Sequence, residues 1–480
     1  MVLPCCTPRG SFCTRSALRG GLVFGLLVLG ACRGNEKPAA QAGTQAAPAV
    51  APAPTSPAAG ATETTADLAK AASATDGALP SARLLAMAEA PGDAGADVAI
   101  RKVQELVQKL PNDADRWVLL GRAWVRKARE STDPGYYLNA DAAATLALDA
   151  KPEHPLALEL RGMVLLNAHR FAEARVLGED LVRRFPDNPG AHGVLSDALL
   201  ELGEFDRAAD AAQRMVDLKP NLPSYSRAAW FRWVQGDVKA AREVARLAID
   251  SGDTRDPEPL AWMLVQAALM FWHENELDTA AAGCERALKL MPGYAPAQVC
   301  MGRVAFARGD GKTAALHLRR AHDQSPLVET AWLLGDALQL AGDVSSAAAA
   351  YARVEADGPR NDPRTLSLYL STRNLRPNEA LRLAEEEKRT RGDLFTEEAL
   401  AWALYRNGRV AEARKAIDQA LRHGTREARL LYHGAAIYAA GGNLDGAAAM
   451  LREALALQPK FDYWGALDAA ELAAKLPKVR

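Results

Sequence analysis

Few residues of this 480-residue chain stand where chemistry could begin. Gly309-Asp310-Gly311-Lys312-Thr313 has the look of the end of a phosphate-binding loop. The leading glycine of that pattern would fall at Phe306 and no strand precedes it, so the backbone cradle is missing. His317 and His322 lie about 140° apart on a helix and cannot share a metal. His273-Glu274 lacks the second histidine of a zinc-protease helix. No serine sits in a Gly-x-Ser-x-Gly elbow. Arg-Gly-Asp occurs at 308–310 and 391–393, where a Gly-Asp turn simply follows an arginine. The types and spacings therefore predict no catalytic residue, no cofactor and no metal. Lys plus Arg (58) nearly cancels Asp plus Glu (59), so no basic excess exists to hold a nucleic acid.

The remaining chemistry-bearing residue is Cys32. Arg9, Arg15 and Arg19 precede an apolar run over 22–29, a signal peptide's positive and hydrophobic regions, too short to span a bilayer. The run ends in Leu29-Gly30-Ala31-Cys32, which resembles the bacterial lipobox. That resemblance implies cleavage after residue 31, acylation of Cys32, and an N-terminal lipid anchor in the cell envelope. Arg33 follows the cysteine, where an aspartate would imply inner-membrane retention, so the outer membrane facing the periplasm is expected. Cleavage would take the net charge from −1 to −4 and leave Cys284 and Cys300, either a disulfide or two buried thiols. Residues 32–79 are rich in Ala, Pro and Thr and read as a disordered tether, about 40 Å long as a flexible coil.

Beyond the tether the chain repeats. Pro152, Pro186 and Pro220 are spaced by 34, as are Pro292 and Pro326, and Pro459 plays the same part. Twelve residues before each comes Ala140, Ala174, Ala208, Ala280, Ala314 or Ala447. Gly162, Gly302 and Gly434 lie about twelve residues further back, with turn signals such as "LGEFDRA" and "NGRVAEA" (the latter containing Ala413) between. Each unit predicts two amphipathic helices that cross closely at small residues, a glycine turn between them, and a proline stop. One pair cannot bury its apolar face, so neighbours must stack.

The pattern resembles the tetratricopeptide repeat family, best matched by Trp117, Leu120, Gly121, Trp124, Ala140, Ala147 and Pro152, with Gly335 marking a later unit. The resemblance implies an all-α, right-handed α-solenoid of about ten helix-turn-helix repeats with a terminal capping helix. Units are expected to begin near Ala114, Pro155, Pro189, Leu222, Ala261, Ala295, Val328, Asn361, Leu394 and Glu427. The expected organisation is a signal peptide over 1–31, the tether over 32–79, a degenerate capping repeat over 80–113, the solenoid over 114–460 and a capping helix over 461–480. The first unit carries a seven-residue excess, placed in the loop after its first helix. A longer loop at 251–259 predicts a bend, and the unit around 364–392 departs most from the pattern.

In this family the first helix of each pair lines a concave groove, and the resemblance carries that role onto Trp230, Trp233, Trp262, Trp272, Arg303, Phe306, Trp332, Asp336, Trp402, Tyr405 and Tyr438. Rigid aromatics anchor interfaces at low entropic cost. The same side chains could instead fill the inside of a tight superhelix. The Lys and Asn of the family's carboxylate clamp are absent, so an apolar or aromatic segment of a partner suits the lining better. The implied function is a non-catalytic scaffold binding protein or peptide partners at the envelope, in outer-membrane assembly, secretion or polysaccharide export. The alternative is a glycan- or lipid-binding carrier, or a cryptic enzyme, using the tryptophan-rich centre.

Overall fold

The computed structural model describes residues 78–477; the signal segment, Cys32 and nearly all of the expected tether lie outside the described residues. Among the described residues there are 23 α-helices and no strand. None of these helices is long and apolar enough to cross a membrane. Two leading helices, α1 (Ala78–Ala86) and α2 (Gly95–Lys109), pack on the first of ten pairs. The pairs are α3 (Ala114–Ser131) with α4 (Tyr137–Ala150), α5 (Pro155–Asn167) with α6 (Phe171–Arg184), and α7 (Pro189–Glu201) with α8 (Phe205–Leu218). Next come α9 (Leu222–Val234) with α10 (Val238–Asp250), α11 (Pro257–His273) with α12 (Leu277–Leu290), and α13 (Ala295–Ala307) with α14 (Gly311–Gln324). Then follow α15 (Val328–Leu340) with α16 (Val344–Asn361), and α17 (Pro363–Thr372) with α18 (Pro377–Lys388). The last two are α19 (Leu394–Arg406) with α20 (Val410–Leu421), and α21 (Ala428–Ala440) with α22 (Leu444–Leu457); α23 (Tyr463–Lys475) caps the stack.

Local rules account for the pairs. Gly203, Gly236, Gly309, Gly342, Gly408 and Gly442 end first helices with φ between +74° and +85°, a conformation that costs glycine nothing. After four of them an Asp or Asn caps the next helix: Asp237 accepts from Ala240 N–H, Asp310 from Thr313 N–H, Asp343 from Ser346 N–H and Asn443 from Gly446 N–H. Pro152, Pro186, Pro220, Pro292, Pro326 and Pro459 each stand two residues beyond a second helix. Ala140, Ala174, Ala208, Ala280, Ala314, Ala413 and Ala447 have no exposed surface. At Gly162 an added Cβ would meet Val194 Cγ1 at 2.6 Å, and at Gly302 it would meet Leu318 Cγ at 2.5 Å, so larger residues would force the crossings apart.

Some details depart from the local pattern. The excess of the first unit is partly helical: α3 runs to Ser131, supported by an Arg126–Glu130 pair at 2.6 Å, and only Pro134–Tyr136 forms a 3-10 turn. The fifth unit starts at Pro257 rather than Ala261, with Pro257 at the first helical turn, where its missing N–H costs nothing. In the irregular eighth unit α17 has only ten residues, and the preceding α16 extends over eighteen, with Pro359 inside it. Cys284 on α12 and Cys300 on α13 are joined in a disulfide, their Cα atoms 5.9 Å apart.

The superhelix is tight enough to close on itself. The turn inside the third pair meets the loop leading into the ninth, where Gly392 N–H donates to Glu201 C=O at 2.8 Å; from the next loop, after α20, Arg422 donates to Gly203 C=O at 2.8 Å. One unit further on, the Thr425 hydroxyl donates to Val234 C=O at 2.7 Å. In the fifth pair, Gln458 Nε2 donates to Trp272 C=O at 2.9 Å. The first pair repeats the relation, with Ser325 Oγ 3.4 Å from Thr132 C=O. The turn within each of these pairs thus docks on the loop that follows the unit five places later. This seam turns an open groove into a walled interior.

Candidate functional site

The interior holds a cavity of about 350 Å³ on the inner side of the superhelix. Its wall draws on the ends of α3 and α5, on α7, α11, α13 and α15, and, across the seam, on Phe395 of α19 and Arg429 of α21. The long first helices matter most. The extra turn of α3 brings Arg129 and Thr132 to the wall, and the extended α11 contributes Glu258 at one end and His273 at the other.

Trp233, Trp262, Trp272 and Arg303 come together on this wall, while Trp230 lines a neighbouring pocket of about 190 Å³ at the seam. Phe306 and Asp336 border a void of only about 10 Å³. Trp332, Trp402, Tyr405 and Tyr438 line none of these spaces. Trp233, Trp272, Phe306, Trp332, Asp336 and Trp402 are buried, whereas Trp230, Trp262, Arg303, Tyr405 and Tyr438 keep partial exposure. Trp402 sits between Tyr405 and His433, stacked on both at centroid distances of 5.0 and 4.0 Å. Asp336 accepts from the Tyr351 hydroxyl at 2.7 Å and from Tyr463 N–H at 3.2 Å, tying α15 to the cap.

Most of the cavity's charges are answered within the protein. Asp197 accepts from Arg227 through two bonds of 2.8 and 2.6 Å; burial pushes its carboxyl up to about 6 against the pull of Arg227. Glu201, pushed up to about 7 by burial, pairs with Arg391 at 2.5 Å. Arg303 bonds Glu329 at 2.6 Å and lies 5.4 Å from the centre of the Trp272 ring. Arg429 bonds Glu398 at 3.0 Å, and Glu258, raised by burial, accepts from the Tyr294 hydroxyl at 2.8 Å. Burial, reinforced by Arg303 and Arg429, pushes the His273 imidazole down to about 3, so it is neutral at any ordinary pH. Trp272 Nε1 donates to Arg303 C=O at 3.1 Å, but Trp233 Nε1 and His273 Nδ1 have no partner. Trp332 Nε1 and Trp402 Nε1 also lack one, off the cavity.

No local motif marks Glu258, Arg129 or the Asp197–Arg227 pair, and His273 stands out only through a zinc-helix pattern it does not complete. One signal was available: α3 and α11 are longer than the thirteen-residue first helices around them, with 18 and 17 residues. Among the described residues no three His, Cys, Asp or Glu side chains gather as a metal cage.

Two segments, 161–223 and 398–460, match the tetratricopeptide repeat family model. No curated protein matches the chain. Among solved structures, the APC/C hetero-tetramer Cut9-Hcn1 is similar at 15% identity over 84% of this chain, with a TM-score of 0.43; the chain spans only 63% of that structure's chain. A human IFIT1 dimer bound to m7Gppp-AAAA is similar at 15% identity over 80% of this chain and 96% of its own, with a TM-score of 0.45. PilW, a type IV pilus biogenesis factor, is 17% identical over 45% of this chain and 98% of its own, with a TM-score of 0.38. Ten stacked helix pairs repeating about every 34 residues, with the family's model matched at two segments, give the described residues the fold of a tetratricopeptide-repeat solenoid.

Proposed function

We propose that this protein is a non-catalytic scaffold that binds protein partners and is held at the bacterial envelope by lipid on Cys32. The observation that carries the reading is the unbroken stack of ten tetratricopeptide pairs, an architecture that presents extended surface to other proteins. Partners would engage the aromatic and charged residues that keep exposure, Trp230, Trp262, Arg303, Tyr405 and Tyr438, rather than the buried members of the same set. The anchor rests on the run Leu29-Gly30-Ala31-Cys32 after an apolar segment. The disulfide between Cys284 and Cys300 is consistent with an oxidising compartment such as the periplasm.

Two measurements test this. Cells expressing the chain are fed a labelled fatty acid: the wild type should carry label and Cys32→Ala should not. Labelling of both, or of neither, defeats the anchor. Crosslinking in intact cells should then recover specific proteins whose yield falls when Trp230 and Trp262 are both replaced by alanine. Recovery of only abundant neighbours, unchanged by that replacement, defeats the scaffold.

A further inference from the structure

We propose that the interior cavity binds a small, uncharged molecule with a flat apolar body and hydrogen-bond acceptor groups, a function separate from partner docking. Size comes first. The cavity of about 350 Å³ falls in the range of small-molecule sites, roughly 300–1,000 Å³.

Charge comes second. Asp197, Glu201, Arg303 and Arg429 are each already bonded to an opposite charge, and Glu258 to a tyrosine hydroxyl. A charged ligand would have to break one of these buried pairs or remain unmatched in a poorly solvated space, and either is costly. A neutral ligand meets no such barrier.

Unmet hydrogen bonds come third. Trp233 is 2% exposed and its Nε1–H has no acceptor. His273 Nδ1 is also without a partner, and the two rings stand 5.0 Å apart. A buried donor left unmade is unfavourable; Trp233 Nε1 is covered in this conformation, and a small turn of the ring toward the cavity would present its N–H to a ligand oxygen. His273, neutral, can set its proton on either nitrogen and so meet a second polar group of the ligand. Trp262, Trp272, Val265 and Leu269 offer the apolar wall for the body.

The probe is 6-propionyl-2-(dimethylamino)naphthalene, a neutral naphthalene with a carbonyl acceptor whose emission moves to the blue in apolar surroundings. It is titrated into the full mature chain beside naphthalene, which has no acceptor, and 8-anilinonaphthalene-1-sulfonate, which is anionic. The proposal expects saturable one-to-one binding of the neutral carbonyl probe, tighter than either comparator. Trp233→Phe should weaken that probe about three- to tenfold and leave naphthalene unchanged, since it removes the N–H and keeps an aromatic ring. Val299→Trp, which fills the cavity, should abolish binding with helix content intact; if that variant does not fold, the Trp233→Phe comparison decides alone. The proposal is overturned if the carbonyl probe does not saturate, if the anionic dye binds as tightly, or if Trp233→Phe weakens both naphthalenes equally or neither.

Discussion

Arg391→Met is the perturbation that bears most directly on the closed superhelix. Arg391 is 5% exposed and bonds Glu201 at 2.5 Å across the seam, Asp393 at 2.9 Å and Glu387 at 3.4 Å. Methionine keeps much of the volume and removes the charge. Asp393 would retain Arg364 at 3.3 Å, but Glu201, 6% exposed, would be left without a cation in contact. Breaking a buried pair in this way costs about 3–5 kcal/mol. At about 1.36 kcal/mol per tenfold, the seam should open roughly two to four orders of magnitude more often. Gly392 N–H reports that opening, because it donates to Glu201 C=O across the seam and its hydrogen exchange should accelerate by that factor. The defect should shrink at pH 5. Glu201 is already pushed up to about 7 by burial, and without its cation it takes a proton instead of staying charged. Arg391→Met with Glu201→Leu should recover most of the protection, since an apolar pair of similar volume replaces a buried ion pair at little cost. Unchanged exchange at Gly392, or a double variant no better than the single, would refute the idea that this cluster fastens the two turns.

Gly203→Ala and Gly408→Ala share a left-handed φ, near +80° and +74°, and so share a backbone penalty of roughly 1 kcal/mol. Nothing lies within 4 Å of a Cβ at Gly408, whereas one at Gly203 would strike Gly392 C=O; only Gly203→Ala should therefore raise exchange at the seam as well as lower the urea midpoint. Burial pushes the Asp336 carboxyl up, with Asp462 adding to it, and pushes Asp462 up as well. Folded values above the unfolded ones mean that this stability is complete in acid and is lost as pH rises through the folded values, about 6 for Asp462 and about 8 for Asp336. Docking of α23 should thus weaken between pH 5 and 9, read as exchange of its amides corrected for intrinsic rates, and Asp336→Asn should flatten the profile. Replacing Cys284 and Cys300 with serine removes a cross-link spanning 16 residues, and should lower stability by about 3 kcal/mol in urea. Equal midpoints with and without the bridge would contradict that.

The helix pairs were legible because their causes are local. A glycine free to take positive φ, an Asp or Asn that caps the next turn, and a proline two residues past a second helix all act within a few positions of themselves. The first unit was harder, because "RKARESTDPGYY" carries loop-like Ser, Thr, Asp, Pro and Gly in its second half while its first half continues α3. The eighth unit was uncertain for a similar reason: Pro359 reads as a stop, yet α16 continues through it to Asn361.

The aromatic residues show the boundary between the two kinds of information. Their positions on first helices follow from the repeat, and that much the sequence by itself determined. Whether that inside is open depends on the rotation and rise from one unit to the next, small quantities that add up over five units. Only the tertiary structure decided that the turn of the third pair meets the loop before the ninth, where Glu201 and Arg391, 190 residues apart, bury a shared charge. No periodicity marks such a pair, because it belongs to no single repeat. Across that stack Trp230 and Trp262 keep partial exposure, while Trp233 and His273 line the cavity.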